Sequence, residues 1–440
     1  MTRSVLFIAP SAYPLGGVAV WLDYLFPALH TLGWQATAGL VAGRCHDAAA
    51  YRAAYPGLPV VEIHNPTGSA EGRIRAIEAA LLRVRPVVVV AVNIVDVYAA
   101  ARRVRRRGHP LKVAMALHGI AADLLADLRR EATMGLDAVI ATNRLACRLC
   151  EAHAGMQPER VLYAPYGVDA EALGALARTP RSGPLRVVWV GRLEQDQKRV
   201  HDLPAILAAL DAQGVDYHLR IVGDGPERAT VANALAPWLQ SGRADLAGAL
   251  PATALGPDVY ARADALLITS SWETGPIVAW EAMAAGVAVV TSRYVGSGLE
   301  GALRPGENCA MFPVGDVPEA ARQLANLASG PALCARLAEA GRATVAQRYA
   351  TSRSVQAWAD ALQAITQLTT LAVPADEPPP PASGRLDHWL GTGRAETLRR
   401  SVGRAYSHLA PGNEWPHTAV TKADEVGLFR RASLFDAERP

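Results

Sequence analysis

The sequence predicts an α/β protein with two doubly wound domains that face a cleft, followed by a C-terminal extension. Short apolar, β-branched runs alternate with longer helical stretches through most of the chain, which is typical of parallel sheets with crossover helices. The alternation stops at residues 177–184 (ARTPRSGP) and then starts again. Two prolines, a glycine and a serine in that segment indicate a linker between two domains of the same kind.

The first domain is predicted over residues 1–180. Helical periodicity covers Gly17–Leu32 and Gly72–Arg83. The apolar runs that predict its strands are Val5–Ala9, Ala36–Val41, Val87–Val92, Val113–Leu117, Ala138–Ala141 and Arg160–Ala164.

The second domain is predicted over residues 185–350, and a closing helix over 351–370. A proline-rich linker (371–385) follows, and residues 386–440 form an appendage without a clear period, to which we assign no role. The runs that predict strands in the second domain are Arg186–Val190, His218–Val222, Ala265–Thr269 and Val287–Thr291.

Composition excludes several classes of protein. Half of the 440 residues are hydrophobic and 19% are charged, which is typical of a folded globular chain. A net charge of +3 gives no indication of nucleic-acid binding. The N-terminal apolar run is too short for a signal peptide, and no run of 18 apolar residues occurs. We therefore expect a cytoplasmic protein.

The strongest motif holds two glutamates eight positions apart, Glu273 and Glu281. Glu273 follows a predicted strand, and Pro276 suits the first turn of the helix that carries Glu281. Both carboxylates therefore face one strand-end crevice, where they can accept hydrogen bonds from vicinal sugar hydroxyls. The helix N-terminus between them suits a diphosphate. Pro276 has no N–H, so the expected amide donors are those of Gly275, Ile277 and Val278.

A cationic loop follows the first strand of the second domain. Gly191 ends that strand, and Arg192 and Lys198 come after it. Arginine binds phosphate with two parallel bonds and lysine acts as a compact charge, so both can neutralise a leaving diphosphate. Arg199 stands next to Lys198 and is the alternative to it.

Glycine turns and one histidine complete the candidate site. Gly223 and Gly225 lie in a Gly-Asp-Gly-Pro turn that opens a helix, and Gly16 and Gly17 follow the first strand. Glycines at such places let the backbone approach a ligand. The pattern G-x-G-x-x-G is absent from the Gly16 loop, which disfavours a nicotinamide cofactor. His118 follows a strand of the first domain and is placed to face the crevice.

These motifs carry a resemblance to a known family. Glu273 to Glu281 with the following EAMAAG run resembles the E-x7-E signature of retaining GT-B glycosyltransferases of family 4, also called group 1. The Gly191–Arg192–Leu193 run with Lys198 is similar to the family's G-R-L…K stretch. The resemblance covers about residues 1–366. It implies two Rossmann-like domains with an acceptor site in the first and a nucleotide-sugar site in the second.

The resemblance also implies roles for single residues. Glu273 would contact the donor sugar, Glu281 the nucleotide ribose, and Arg192 and Lys198 the phosphates. His118 would lie beside the donor sugar. We therefore predict a hexosyltransferase that acts with retention, with a role in polysaccharide or glycoconjugate biosynthesis.

No cofactor and no metal site are expected, because the sequence offers no D-x-D pair suited to a divalent ion. The partners are a nucleotide-sugar donor and a sugar, lipid-linked or small-molecule acceptor, and nucleic acid is not among them. Two alternatives stay open: a nucleotide-sugar epimerase of the same architecture and a non-catalytic nucleotide-sugar-binding homologue.

An arginine-rich run at residues 102–107 raises the question of membrane contact. A basic first domain could rest on anionic lipid at the inner face of the membrane and reach a lipid-linked acceptor there. The preferred interpretation is a solvated basic face of a helix.

Overall fold

The structure is a computed structural model that describes residues 3–10, 17–43, 48–406, 415 and 417–437. The chain divides into two compact units. The first comprises residues 1–142, 146–164 and 355–428, and the second comprises residues 143–145, 165–354 and 429–440. The predicted domain boundaries stay predictions.

A parallel sheet of seven strands forms the centre of the first unit. Its strands are β1 (Arg3–Pro10), β2 (Trp34–Val41), β3 (Val60–Ile63), β4 (Val88–Val92), β5 (Lys112–Leu117), β6 (Ala138–Ala141) and β7 (Val161–Tyr163). Their order in the sheet is β3-β2-β1-β4-β5-β6-β7. All five residues of β4 are buried, as expected for a central strand that is covered on both faces.

The second unit repeats this plan with six parallel strands. They are β8 (Leu185–Val190), β9 (Tyr217–Val222), β10 (Ala244–Gly248), β11 (Ala265–Ile268), β12 (Ala288–Ser292) and β13 (Ala310–Phe312). Their order is β10-β9-β8-β11-β12-β13. The chain builds one half of the sheet outward from β8 and then the other half outward from β11, which is the doubly wound arrangement.

Helices connect the strands and follow them along the chain. The α-helices of the described residues are α1 (Gly17–Thr31), α2 (Ala48–Ala54), α3 (Ala70–Val84), α4 (Asp96–Arg106), α5 (Ala122–Ala132), α6 (Arg144–Ala152), α7 (Ala170–Gly174), α8 (Asp202–Ala212), α9 (Arg228–Ala234), α10 (Ala236–Gln240), α11 (Ala252–Ala254), α12 (Ile277–Ala284), α13 (Val317–Ser329), α14 (Pro331–Arg348), α15 (Thr351–Gln367), α16 (Arg385–Leu390), α17 (Thr392–Val402) and α18 (Lys422–Asp436). Short 3-10 turns occur at Pro158–Arg160 and Tyr260–Arg262, and a π turn occurs at Leu255–Val259.

The α/β prediction with doubly wound sheets is confirmed. Each of the ten strands predicted from apolar runs is present, with ends that differ by at most two residues. Three strands were not predicted: β3, β10 and β13. All three lie at sheet edges, where strands are short and partly solvated, so their sequences lack the continuous apolar run of a central strand.

The C-terminal extension contains helices where the sequence has no clear period. Part of it belongs to the first unit, where Glu396 of α17 is fully buried. This carboxylate accepts hydrogen bonds from Thr67 Oγ1 (2.8 Å) and Ser69 Oγ (2.6 Å), and from Arg400 Nε (2.6 Å). A buried carboxylate with this many donors is a strong anchor, because removing any donor leaves a buried charge poorly compensated.

The arginines of α4 and the residue after it are paired with carboxylates. The side chains of Arg102 and Arg105 are 9% and 7% exposed. The interpretation of a solvated basic face is therefore wrong for these two residues. The pairs are Arg102–Glu131, Arg102–Glu377, Arg103–Glu71, Arg105–Asp137, Arg106–Glu377 and Arg107–Glu78.

Within the described part of the chain, no helix combines the length and the apolar character needed to cross a membrane.

Candidate functional site

Two neighbouring strands of the second unit end at the candidate site. β8 and β11 lie side by side, although β9 and β10 come between them in the chain. The strand order reverses at this pair, and ligands of open α/β sheets bind outside the carboxyl ends of strands at such a point. Gly191 directly follows β8, and the segment that leads to Glu273 directly follows β11. The two strongest sequence motifs therefore start at the same place.

The two motifs meet in an ion pair. Lys198 Nζ lies 2.6 Å from Glu273 Oε1, and both side chains are largely buried, at 19% and 7% exposure. Ser270 Oγ donates to the same carboxylate oxygen at 2.6 Å, and Gln197 Nε2 lies 3.3 Å from Oε2. A carboxylate with this many partners has a fixed position and carries its charge close to a cation.

Main-chain hydrogen bonds hold the two loops together. The Ser271 N–H donates to the Gln197 carbonyl at 2.7 Å, and the Thr269 hydroxyl donates to the Lys198 carbonyl at 2.6 Å. Trp189 Nε1, from β8, donates to that threonine hydroxyl at 3.1 Å. The Lys198–Glu273 pair is thus set by backbone contacts of both loops as well as by its own attraction.

Lys198, and not Arg199, points toward the glutamate. The guanidinium of Arg199 instead pairs with Asp202, with Nε 2.8 Å from Oδ2. Arg199 also has a φ of 50°, in the left-handed region where glycine is favoured.

Arg192 is exposed where it stands. Its side chain is 69% exposed, and Nη2 lies 3.1 Å from Glu194 Oε2. An exposed arginine of this kind is free to change rotamer at small energetic cost. Its predicted contact with phosphate stays a prediction.

The glycine turns after β8 and β9 pack against each other. A Cβ on Gly223, whose φ is 138°, would stand 1.8 Å from the Gly191 carbonyl oxygen. A Cβ on Gly225 would stand 2.4 Å from the Leu193 carbonyl oxygen. These positions therefore need glycine for the close approach of two backbones. That packing accounts for Gly223 and Gly225 without a ligand, so their predicted binding role stays a prediction.

Helix α12 begins beside Glu273. Pro276 is its N-cap, one position before the helix rather than within the first turn, and Gly275 has a φ of 106° that favours glycine. Ile277 and Val278 are the first two helical residues. The first amides of a helix have no acceptor within it, so these two are available to an anion.

Glu281 lies further along α12 and is enclosed. Tyr260 Oη donates to Glu281 Oε2 at 2.8 Å. Part of the residue is accessible, but its carboxyl group is surrounded by protein, and burial raises the pKa of Glu281 to about 7. Because burial disfavours the ionised form of this carboxyl group, hydroxyl groups of a ligand that donate hydrogen bonds to it would stabilise that form.

The first unit holds the remaining predicted residues. His118 follows β5, and its ring contacts Trp21 edge-on with 4.9 Å between ring centroids. Burial lowers the pKa of His118 to about 4, so the imidazole is neutral at pH 7. Gly17 is the first residue of α1, and Gly16 lies outside the described residues.

Sequence reasoning missed Tyr260, Ser270 and Gln197. Ser270 and Gln197 lie within three residues of motif residues, so their positions in the loops could have indicated contact with Glu273. Tyr260 lies 21 positions before Glu281, in a turn with no motif. No sequence signal connects those two residues.

Among the described residues, no group of three or more His, Cys, Asp or Glu side chains could hold a metal ion.

Comparisons with known proteins find similarity to glycosyltransferases. Residues 184–329 match the family described as Glycosyl transferases group 1. A glycogen synthase of Mycobacterium tuberculosis is 30% identical over 227 residues, 51% of each chain. The 2-deoxystreptamine glucosyltransferase of Streptomyces kanamyceticus is 29% identical over 275 residues, which is 62% of this chain and 69% of that protein. The chain thus spans about half the length of the glycogen synthase.

A solved structure supports the fold. Anabaena HepE in complex with UDP superposes with a TM-score of 0.67 and 20% identity, over 82% of this chain and 99% of that one. A sequence identity of 20% supports a shared fold and nothing more. The predicted GT-B fold is confirmed, and the predicted resemblance to group 1 glycosyltransferases is confirmed by the family match.

Proposed function

With a group 1 glycosyltransferase domain at residues 184–329 as the premise, we propose that this protein transfers a sugar from a nucleoside diphosphate sugar to an acceptor, with retention and without a metal ion. The single observation that carries the proposal is the buried Lys198–Glu273 pair where β8 and β11 end. The Lys198 ammonium and the Glu273 carboxylate lie 2.6 Å apart. We assign the phosphate to the first, and the hydrogen bonds donated by the sugar hydroxyls to the second.

The chemistry needs charge neutralisation and a fixed sugar ring. Lys198 and Arg192 compensate the negative charge that grows on the leaving diphosphate, and the first amides of α12 add backbone donors. Glu273 accepts hydrogen bonds from the sugar hydroxyls and so orients the anomeric carbon. Glu281 accepts hydrogen bonds from the ribose. The role that the sequence predicts for His118, which is neutral at pH 7, stays a prediction.

Retention follows from attack on the face that the phosphate leaves. The acceptor oxygen forms a bond to the anomeric carbon while the bond from that carbon to the phosphate oxygen breaks. The acceptor's proton passes to the departing phosphate oxygen. The positive charge that develops on the sugar lies close to the diphosphate and to Glu273, so no covalent enzyme intermediate is needed.

The relatives suggest which donor to test first. One relative is named a glucosyltransferase, and the superposed Anabaena structure holds UDP. We propose a UDP-hexose as donor, with UDP-glucose first, and a sugar, lipid-linked or small-molecule acceptor.

The test uses the full chain with UDP-hexoses, a panel of acceptors and an excess of EDTA. We expect UDP release that depends on the acceptor, persists with EDTA, and yields a product with the donor's anomeric configuration by NMR. A product of inverted configuration contradicts retention, and loss of activity in EDTA that returns with a divalent ion contradicts metal independence.

The two alternatives give different outcomes in the same assay. An epimerase converts the donor with no acceptor present. A non-catalytic binding protein is stabilised against thermal unfolding by the donor but releases no UDP. Donor hydrolysis that Glu273→Ala abolishes would set this second alternative aside.

A cytoplasmic location and peripheral membrane contact stay proposals. The paired arginines of residues 102–107 lend membrane contact little support, because their charges are largely neutralised by carboxylates of the same unit. Sedimentation with anionic vesicles at low salt, reversed by high salt, is the result that membrane contact requires.

A further inference from the structure

The C-terminal end of α18 binds a loop of the second unit. Asp436, the last residue of α18, accepts hydrogen bonds from the backbone N–H groups of Gly296 (2.9 Å), Gly298 (3.1 Å) and Leu299 (2.9 Å). These amides belong to residues 294–299, here called the 294–299 loop, which follows β12. Several backbone donors converging on one carboxylate form an anion-binding nest.

Two glycines allow the 294–299 loop to lie in close contact with α18 on one side and with the Glu273 segment on the other. A Cβ on Gly296, whose φ is 108°, would stand 2.1 Å from the Glu273 carbonyl oxygen. A Cβ on Gly298 would stand 2.0 Å from the Asp436 carbonyl oxygen. The loop therefore has backbone contact with the catalytic segment on one side and with the helix end on the other, so it cannot move without disturbing one of them.

Hydrogen bonds connect the loop directly to the backbone of Glu273. The Glu273 N–H donates to the Val295 carbonyl at 3.0 Å, and the Val295 N–H donates to the Ser271 carbonyl at 3.0 Å. Phe429, two turns before Asp436 on α18, packs its ring on Trp272 with 4.7 Å between centroids. Residues 271–273 are thus held by α18 in two ways, through the loop and through an aromatic contact.

The charge of Asp436 does not favour α18 itself. An acidic residue in the last turn of a helix has the wrong sign for the helix dipole. Most residues of α18 are exposed, including Val426 and Leu434 at 62% and 66%. The three backbone N–H groups that donate to Asp436 connect the end of this helix to the 294–299 loop. The hydrogen bonds that the 294–299 loop donates to this carboxylate explain its position.

We propose that Asp436 is a positioning residue for Glu273. By fixing the 294–299 loop, it fixes the backbone from which the Glu273 side chain reaches Lys198. This inference rests on the proposed function for its catalytic consequence, while its structural part stands independently. It also gives the end of the C-terminal extension a role: it completes the sugar-nucleotide site from outside the sequence motifs.

Three variants of the full chain test the inference. Asp436→Ala removes the acceptor, and Gly298→Ala places a methyl group against the helix end while leaving the carboxylate in place. Glu425→Gln is the matched control, because it removes the same charge from an exposed position of α18. Thermal unfolding verifies that each variant is folded.

Two readouts separate positioning from general stability. Hydrogen exchange is followed by mass spectrometry in peptides covering 271–275 and 294–299. Steady-state kinetics with a UDP-hexose and calorimetric UDP binding are measured on the same samples. We expect Asp436→Ala and Gly298→Ala to speed exchange in both peptides and to lower kcat by about tenfold to a hundredfold, with the Kd of UDP changed less than about threefold. The control should match the parent.

The outcomes are distinct. Faster exchange in 294–299 with no change in 271–275 overturns the inference, as does unchanged kcat in an active enzyme. An equal loss in kcat and UDP affinity also overturns it, because that pattern indicates general loosening of the unit. If no donor is turned over by the parent but both peptides respond, the proposed function fails and the positioning of the Glu273 segment by Asp436 is supported.

Discussion

The loop before α12 and the body of α12 each enclose a carboxylate, and they compensate its charge differently. In the loop, Glu273 contacts the ammonium of Lys198 and the hydroxyl of Ser270, each at 2.6 Å. In the helix, Glu281 receives a hydrogen bond from the Tyr260 hydroxyl at 2.8 Å. Burial outweighs that bond and raises the pKa of Glu281 to about 7.

This difference fits separate tasks for Glu273 and Glu281 in the proposed function. Glu273 already has a cation beside it, so under the proposed function a donor would share or displace that pair. Glu281 lacks such compensation, and a ligand with hydroxyl donors would supply it. Groups whose surroundings differ in this way are typical of sites in which neighbouring carboxylates have separate tasks.

The largest effect is expected from Glu273→Gln. Glutamine keeps the size of the side chain but loses the charge that faces Lys198 and part of the capacity to accept hydrogen bonds from hydroxyl groups. We expect kcat to fall about 10²- to 10³-fold, with the Kd of UDP changed less than about threefold. Glu307→Gln is the matched control, because that glutamate forms an exposed pair with Arg304 in the same unit. A kcat within twofold of the parent would remove Glu273 from the mechanism.

The substitution Glu281→Gln should weaken UDP binding and at the same time increase the stability of the fold. Above pH 7 the parent buries an ionised carboxylate, and the variant buries a neutral amide that can still accept the Tyr260 hydrogen bond. We expect UDP affinity to fall about tenfold, which is the loss of one hydrogen bond to a charged group. At the same time the free energy of unfolding at pH 8 should rise by about 1–3 kcal/mol.

The sign of the stability effect depends on pH. Because the pKa of Glu281 is raised on folding from 4.5 to about 7, the folded state binds more protons between these values and the parent loses stability as pH rises through them. Urea unfolding of parent and variant should therefore give nearly equal stability at pH 4.5 and a clear difference at pH 8. A difference independent of pH would mean that packing, and not ionisation, separates the two proteins.

The smallest effect is expected from His118→Gln. Burial of His118 changes the stability of the fold with pH in the direction opposite to that of Glu281. The pKa of His118 is lowered on folding from 6.5 to about 4, so the unfolded chain takes up a proton that the folded chain excludes. The parent should lose stability as pH falls from 6.5 toward 4, by about 1 kcal/mol at pH 5.5. Urea unfolding should show this loss reduced in the variant, with the exposed His388→Gln as control. An identical acid dependence in parent and variant would assign the loss to other groups.

Particular residues show how far the sequence alone leads to the site. Glu273 and Lys198 were both predicted, because each directly follows a strand that the apolar pattern identifies, and strand ends are where sites form. Their contact at 2.6 Å could not be predicted, because the motif spacing does not give the path of the 194–199 loop. Tyr260 and Asp436 were missed for another reason: their partners are 21 and 137–140 positions away, in segments without a motif.

The sequence by itself determined the two doubly wound sheets and the strand ends at which the motif residues stand. Those features arise from local patterns of apolar, glycine and proline residues, which act through burial and backbone geometry over a few positions. Only the tertiary structure decided which charges are paired and which are isolated: Lys198 on Glu273, the arginines of α4 on their carboxylates, Tyr260 on Glu281 and Asp436 on the 294–299 loop. The physical reason is that hydrogen bonds and ion pairs act over a few ångströms in space, between groups that the chain brings together only when it folds.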